Sequence, residues 1–215
     1  MRNRFRKTVT VRKRKNFSAK GDVTMKPARI CLVALGANQP SEGRSLAQTL
    51  RAALERLGAS LETQITPSRL YRTPCFPAGA GPDYLNAAIR LMHHGSPKEM
   101  LDLLHRIEVE FGRERVQRWG SRTLDLDLIA HGDTVLPDLA TQAEWRNLPV
   151  DQQIARSPDQ LVLPHPRVQD RAFVLVPLAD VAADWVHPCI GQSVLEMLSR
   201  LPEADRAAII PLEEA

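Results

Sequence analysis

A chain of 215 residues, 43% of them hydrophobic, can bury one good core and suits a single globular domain with appendages. No run of about 18 apolar residues occurs, which excludes a transmembrane helix on length. The net charge of +4 is not the mark of a nucleic-acid binder, because residues 1–20 hold nine of the 29 Lys and Arg and none of the 25 Asp and Glu. The rest of the chain is acidic.

Residues 1–26 have neither the apolar stretch of a secretory signal nor a helical stripe, and are expected to form a disordered basic extension ahead of a domain spanning 27–215. Met25 stands just before the first convincing strand, so a genuine basic arm and a start at Met25 both fit. Three cysteines, at 31, 75 and 189, with no CxxC, argue against a disulfide framework and against a zinc site. A soluble cytoplasmic monomer with no membrane or nucleic-acid partner is expected.

Ile30 to Leu35 is a nearly continuous apolar run of strand length, followed by Gly36-Ala37-Asn38. From Ser45, Leu46, Leu50, Ala53, Leu54 and Leu57 share one helical face, with Gly58 as the stop. Ser68–Thr73 and Tyr84–Leu91 read as strands separated by a proline- and glycine-rich connection, residues 74–83, longer than a hairpin needs and hence a candidate substrate loop.

Ser96-Pro97-Lys98-Glu99 has the N-cap serine, N1 proline and N3 glutamate of a helix start, and Met100, Leu104, Ile107 and Phe111 continue it to Gly112. Thr123–Ile129 reads as a strand with Leu124, Leu126 and Leu128 on one side and Thr123, Asp125 and Asp127 on the other. Residues 138–160 look like an insertion without periodicity, Phe173–Leu178 like a short strand or turn, and Val194–Leu201 like a helix. The order β, α, β, β, α, β suits a ferredoxin-like α+β sandwich, a mainly antiparallel sheet with helices packed on one face.

Asp125 and Asp127 form the strongest chemical feature. Two carboxylates about 7 Å apart along a strand repel unless a cation lies between them, and hard oxygen ligands suit magnesium; the bland alternative is a solvated strand face. Arg113, Arg115, Arg118 and Arg122 crowd beside the pair, and guanidinium groups match phosphate oxygens. His165, between Pro164 and Pro166, is a stiffly mounted side chain. His93, His94, His131 and His187 lack ligand spacing and are assigned to surface or packing. Neither GxxxxGK[ST] nor GxGxxG occurs, so a nucleotide would have to be held by metal and arginines.

Together these segments resemble the hydroxymethyldihydropterin pyrophosphokinases of folate synthesis, over about residues 29–190. The carrying motif is Arg118-Trp119-Gly120-Ser121-Arg122-Thr123-Leu124-Asp125-Leu126-Asp127-Leu128. In order around it stand Leu35-Gly36-Ala37-Asn38, Tyr71-Arg72-Thr73-Pro74, Asp83-Tyr84-Leu85-Asn86-Ala87, Ile107-Glu108, Gly112-Arg113, Leu163-Pro164-His165-Pro166-Arg167 and Arg171-Ala172-Phe173.

The resemblance implies diphosphoryl transfer from ATP to 6-hydroxymethyl-7,8-dihydropterin, with Asp125 and Asp127 holding two magnesium ions. Arg113, Arg122, His165 and Arg171 would neutralise the triphosphate. Tyr84 and Phe173 would sandwich the pterin, while Asn86 and the backbone near Thr73, Pro74 and Phe76 meet its edge. His105, Glu108, Arg115, Arg118, Trp119 and Leu128 would line the nucleotide. Ala37, His105 and Pro166 depart from the residues usual in the family. The same aspartates could instead serve a metal-dependent phosphohydrolase or nuclease, a reading that leaves Tyr84, Asn86 and Phe173 without a purpose. A nucleic-acid module led by the basic arm is the other alternative.

Overall fold

The computed structural model describes residues 27–40, 43–75, 81–112 and 123–213. The basic extension, Phe76, and the arginine-rich stretch 113–122 lie outside them. The sheet runs β5-β1-β4-β3-β6, with β2 also on β4, and every pairing is antiparallel. Its strands are β1 (Arg29–Ala37), β2 (Ile65–Pro67), β3 (Tyr71–Thr73), β4 (Tyr84–His93), β5 (Asp125–His131) and β6 (Ile210–Pro211).

On one face lie α1 (Leu46–Leu61) and α2 (Pro97–Glu110). Cys31, Val33 and Leu35 of β1 and Leu126 and Leu128 of β5 meet Leu50, Leu57, Leu104 and Ile107 there. Both helices open on a full capping box, Ser45 with Gln48 and Ser96 with Glu99, which satisfies backbone donors that the first turn leaves open.

Helices cover the opposite face too, which the sequence reading did not foresee. Leu32 and Ala34 of β1, Ala88 of β4 and Ile129 and Ala130 of β5 pack against α5 (Ala172–Ala182) and α6 (Val194–Arg200). This is why the first strand is apolar at nearly every position: both sides of its pleat are buried.

Several expected elements change. The segment expected as a short strand or turn over Phe173–Leu178 is part of α5; its first turns are apolar almost all round and enclose Pro177, so no helical stripe shows. Gly58 does not end α1, which runs to Leu61 and closes on Glu62 at φ 49°. The segment 138–160 contains α3 (Leu139–Arg146), N-capped by Asp138, and α4 (Val150–Ala155). Only Tyr71–Thr73 of the strand expected from Ser68 is paired as β3. A 3-10 turn (Val168–Asp170) leads into α5, and α7 (Glu203–Ala207) precedes β6.

Two buried layers should each be indispensable. Leu50→Ala on one face and Leu175→Ala on the other, both 0% exposed, are expected to cost about 2–5 kcal/mol each in urea unfolding.

Candidate active site

Strand register brings the chemistry together. Asp125 of β5 pairs with Gly36 of β1, Gly36 with Asn86 of β4, and Asn86 with Tyr71 of β3, making one row across four strands. Directly paired residues share a face, and side chains two apart along a strand share it as well. Asp127, opposite Ala34, therefore joins this face, as do Tyr84 and Thr73, which pair with each other. It is the face that α5 covers, and α5 begins where the row is, with Arg171 as its N-cap and Phe173 in its first turn, 40% exposed.

Gly36 is dictated by this row. A Cβ there would stand 2.8 Å from Asn86 Oδ1, so the missing side chain lets the Asn86 amide lie against β1. Asn86 Nδ2 donates to Thr73 Oγ1 at 2.7 Å, both residues buried. Asn38, also buried, donates from Nδ2 to the Pro82 carbonyl at 3.5 Å, fastening the end of β1 to the loop before β4.

Asp127 faces Arg171 Nη1 at 3.9 Å, both partly exposed. Between the aspartates, the Leu126 N–H donates to Glu108 Oε1 of α2 at 2.8 Å, and Glu108 is only 1% exposed. Glu108, expected beside a nucleotide, thus fixes the strand that carries the carboxylates. Among the described residues no cluster of three or more His, Cys, Asp or Glu could hold a metal. Two carboxylates of one strand suit magnesium, which is commonly held by one or two carboxylates and completed by water and phosphate oxygens.

His165 is held neutral by its surroundings. Burial, reinforced by Arg171 and Arg167 and opposed by Asp125, pushes its pKa down to about 3. The Arg167 backbone N–H donates to Nδ1 at 3.1 Å. With Nδ1 accepting, the N–H of the neutral ring is at Nε2. Its own N–H is bonded to the Ile129 carbonyl at 2.8 Å. Ile129 is the extra residue of a bulge in β5, since Leu128 opposes Val33 while Ala130 opposes Leu32.

Of the other expected residues, Pro74 is exposed, His105 is half-buried on α2, and Leu128 is 4% exposed in the core, where only its backbone could meet a nucleotide. Phe76, Arg113, Arg115, Arg118, Trp119 and Arg122 lie outside the described residues. The sequence reading missed Asp180. This α5 carboxylate accepts from the Arg69 backbone N–H, from Arg69 Nε and Nη2, and from the Tyr71 hydroxyl at 2.8 Å, clamping α5 to β3. Burial first, then the bonds from Arg69 and Tyr71, act on it in opposite senses, and the bonds prevail, leaving its pKa below the ordinary value. No motif could have shown it, because its partners lie more than 100 residues away.

A family model described as 7,8-dihydro-6-hydroxymethylpterin-pyrophosphokinase matches residues 32–183. Three relatives are each named 2-amino-4-hydroxy-6-hydroxymethyldihydropteridine pyrophosphokinase. That of Synechocystis sp. is 38% identical over 145 residues, 67% of this chain and 62% of its own length. That of Haemophilus influenzae is 33% identical over 80% of this chain and 92% of its own length, and that of Pseudomonas aeruginosa 36% identical over 79% and 90%. Crystal structures of Plasmodium falciparum HPPK-DHPS wild type (TM-score 0.55, 14% identity, 80% of this chain and 44% of that one) and of HPPK-DHPS in complex with substrates (TM-score 0.57, 12% identity, 81% and 43%) share the fold.

Two outcomes test the site. Gly36→Ala is expected to displace the Asn86 amide and break its bond to Thr73, seen as a changed Asn86 side-chain amide resonance. His165 and His187, the latter pushed down to about 4 mainly by burial, stay neutral when folded but protonate near about 6.5 when unfolded. Their stabilisation is therefore complete above that pH and drains away as pH falls towards 4 and 3, so the melting temperature should drop between pH 7 and 5, less steeply in His187→Gln. The chain belongs to the 7,8-dihydro-6-hydroxymethylpterin-pyrophosphokinase family, the ATP-dependent diphosphotransferases of folate synthesis.

Proposed function

We propose that the chain itself transfers diphosphate from ATP to the 6-hydroxymethyl group of 6-hydroxymethyl-7,8-dihydropterin, giving AMP and the pterin diphosphate. The observation that carries this is the convergence, on one face at the start of α5, of a carboxylate pair, a buried amide and two aromatic side chains. Tyr84 and Phe173 offer faces for a flat heterocycle, and Asn86, Thr73 and the backbone near Pro74 and Phe76 offer polar groups for its rim.

Phosphate oxygens would meet Arg171, Arg113 and Arg122 as cations and His165 as a neutral donor. His105, Glu108, Arg115, Arg118, Trp119 and Leu128 would surround the rest of the nucleotide, Glu108 through the strand it holds and Leu128 through its backbone. Two magnesium ions would be held by Asp125 and Asp127, supplying neutralisation of the triphosphate charge. The hydroxymethyl oxygen then forms a bond to the β-phosphorus and gives up its proton to water as the bond from that phosphorus to the α–β bridging oxygen breaks, and AMP leaves from the opposite side. The chain contributes by holding the two partners in line.

A metal-dependent hydrolase needs the aspartates but has no use for the Asn86–Thr73 pair or for aromatic faces. We further propose that the protein works in the cytoplasm as a monomer, needing neither membrane nor nucleic acid; among the described residues no helix is long and apolar enough to cross a membrane.

The test is AMP release from ATP and magnesium with and without the pterin. Pterin-dependent AMP formation is expected, abolished by EDTA and reduced about 100-fold or more in Asp125→Ala and in Asp127→Ala. Orthophosphate or ADP formed without pterin would favour the hydrolase.

A further inference from the structure

The backbone around His165 is held by hydrogen bonds from several neighbouring elements. Leu163 exchanges both its hydrogen bonds with Leu136, at 2.9 and 3.1 Å. The His165 N–H is taken by the bulge carbonyl of Ile129, and its Nδ1 by the Arg167 N–H. Between them, the Pro164 carbonyl accepts from Gln142 Nε2 at 3.3 Å. Two side chains hold this backbone, Gln169 by donating to the Pro166 carbonyl at 3.1 Å and Gln142, which comes from α3, inside the segment that reads in the sequence as an insertion.

Gln142 is 0% exposed, and an amide buried so fully is set only if both its ends are engaged. Arg146, one turn further along α3, donates from Nη1 to Gln142 Oε1 at 2.9 Å. That bond decides which end of the amide is which: with the oxygen turned to the guanidinium, the NH2 group must face Pro164. A carbonyl one peptide before the imidazole is a lever on where the ring stands, because Pro164 and Pro166 leave the backbone little freedom of its own.

We infer that Gln142, oriented by Arg146, is a positioning residue for the reaction: through the Pro164 carbonyl it sets where His165 presents its Nε2–H to the ATP phosphates. The inserted helix α3 is then a strut of the nucleotide site. This rests on the role given to His165 above, and the wild-type reaction is scored separately from the variants.

Gln142→Glu is the discriminating variant, since it keeps an oxygen for Arg146 and replaces the donor facing Pro164 with a second oxygen. Gln142→Met removes both bonds without adding charge. In each, KM for ATP should rise about fivefold while KM for the pterin holds, and the His165 Nε2 nitrogen resonance should move. In a His165→Ala background, itself raised in KM for ATP, the further effect of either Gln142 change should vanish. An unchanged KM for ATP in a folded Gln142 variant, an equal factor with and without His165, a uniform shift in both KM values, or no effect of His165→Ala alone would overturn the inference. So would failure of both variants to fold, since Gln142 would then serve the core alone. Wild-type AMP formation that depends on the pterin keeps the reaction itself standing whichever of these occurs.

Discussion

The site depends first on the register of β1 between β4 and β5. One residue of slip in either pairing would turn the row Asp125, Gly36, Asn86, Tyr71 to the other face, where α1 and α2 leave no room. That slip is blocked twice. The apolar alternation of β1 fills two separate cores, so neither face can be exchanged, and Glu108 holds the Leu126 N–H from below. The bulge at Ile129 then changes the phase of β5 just past the carboxylates, and its carbonyl takes up the segment that ends in His165. Fold stability and active-site geometry here rest on the same bonds.

Electrostatically the row sets a charged side chain beside a neutral ring. Arg171 lies 3.9 Å from Asp127, whereas His165 is kept neutral by burial and by Arg171 and Arg167. A second nearby cation raises the cost of protonating the ring.

Much of this was legible in the sequence, and the failures have physical causes. The leucines 124, 126 and 128 against the aspartates 125 and 127 set the faces of β5 by period alone, and the apolar face from Leu46 to Leu57 and the capping signature at Ser96 located two helices. The helix α5 was missed because burial on nearly all sides erases its stripe. α3 was missed because a short polar helix has little periodicity to read, although Asp138 followed three residues on by Thr141 was a usable N-cap signal. Asp180 and Gln142 act through partners distant in the chain, Gln142 through a proline carbonyl that has no residue-specific signature. Gly36 was quoted within its motif, but the reason for it, the amide of Asn86 lying where a methyl group would go, belongs to the folded sheet.

Pro177 lies inside α5 and has no N–H to offer the carbonyl four residues earlier, which is that of Phe173. The turn that carries the exposed ring is therefore closed by one ladder bond fewer than an uninterrupted helix would have, while Asp180 anchors the next turn to β3 through Arg69 and Tyr71. The helix is bonded more fully where it is clamped than in its first turn. The missing bond is worth about 1 kcal/mol, so the first turn of α5 can shift at less cost than the clamped turn that follows it.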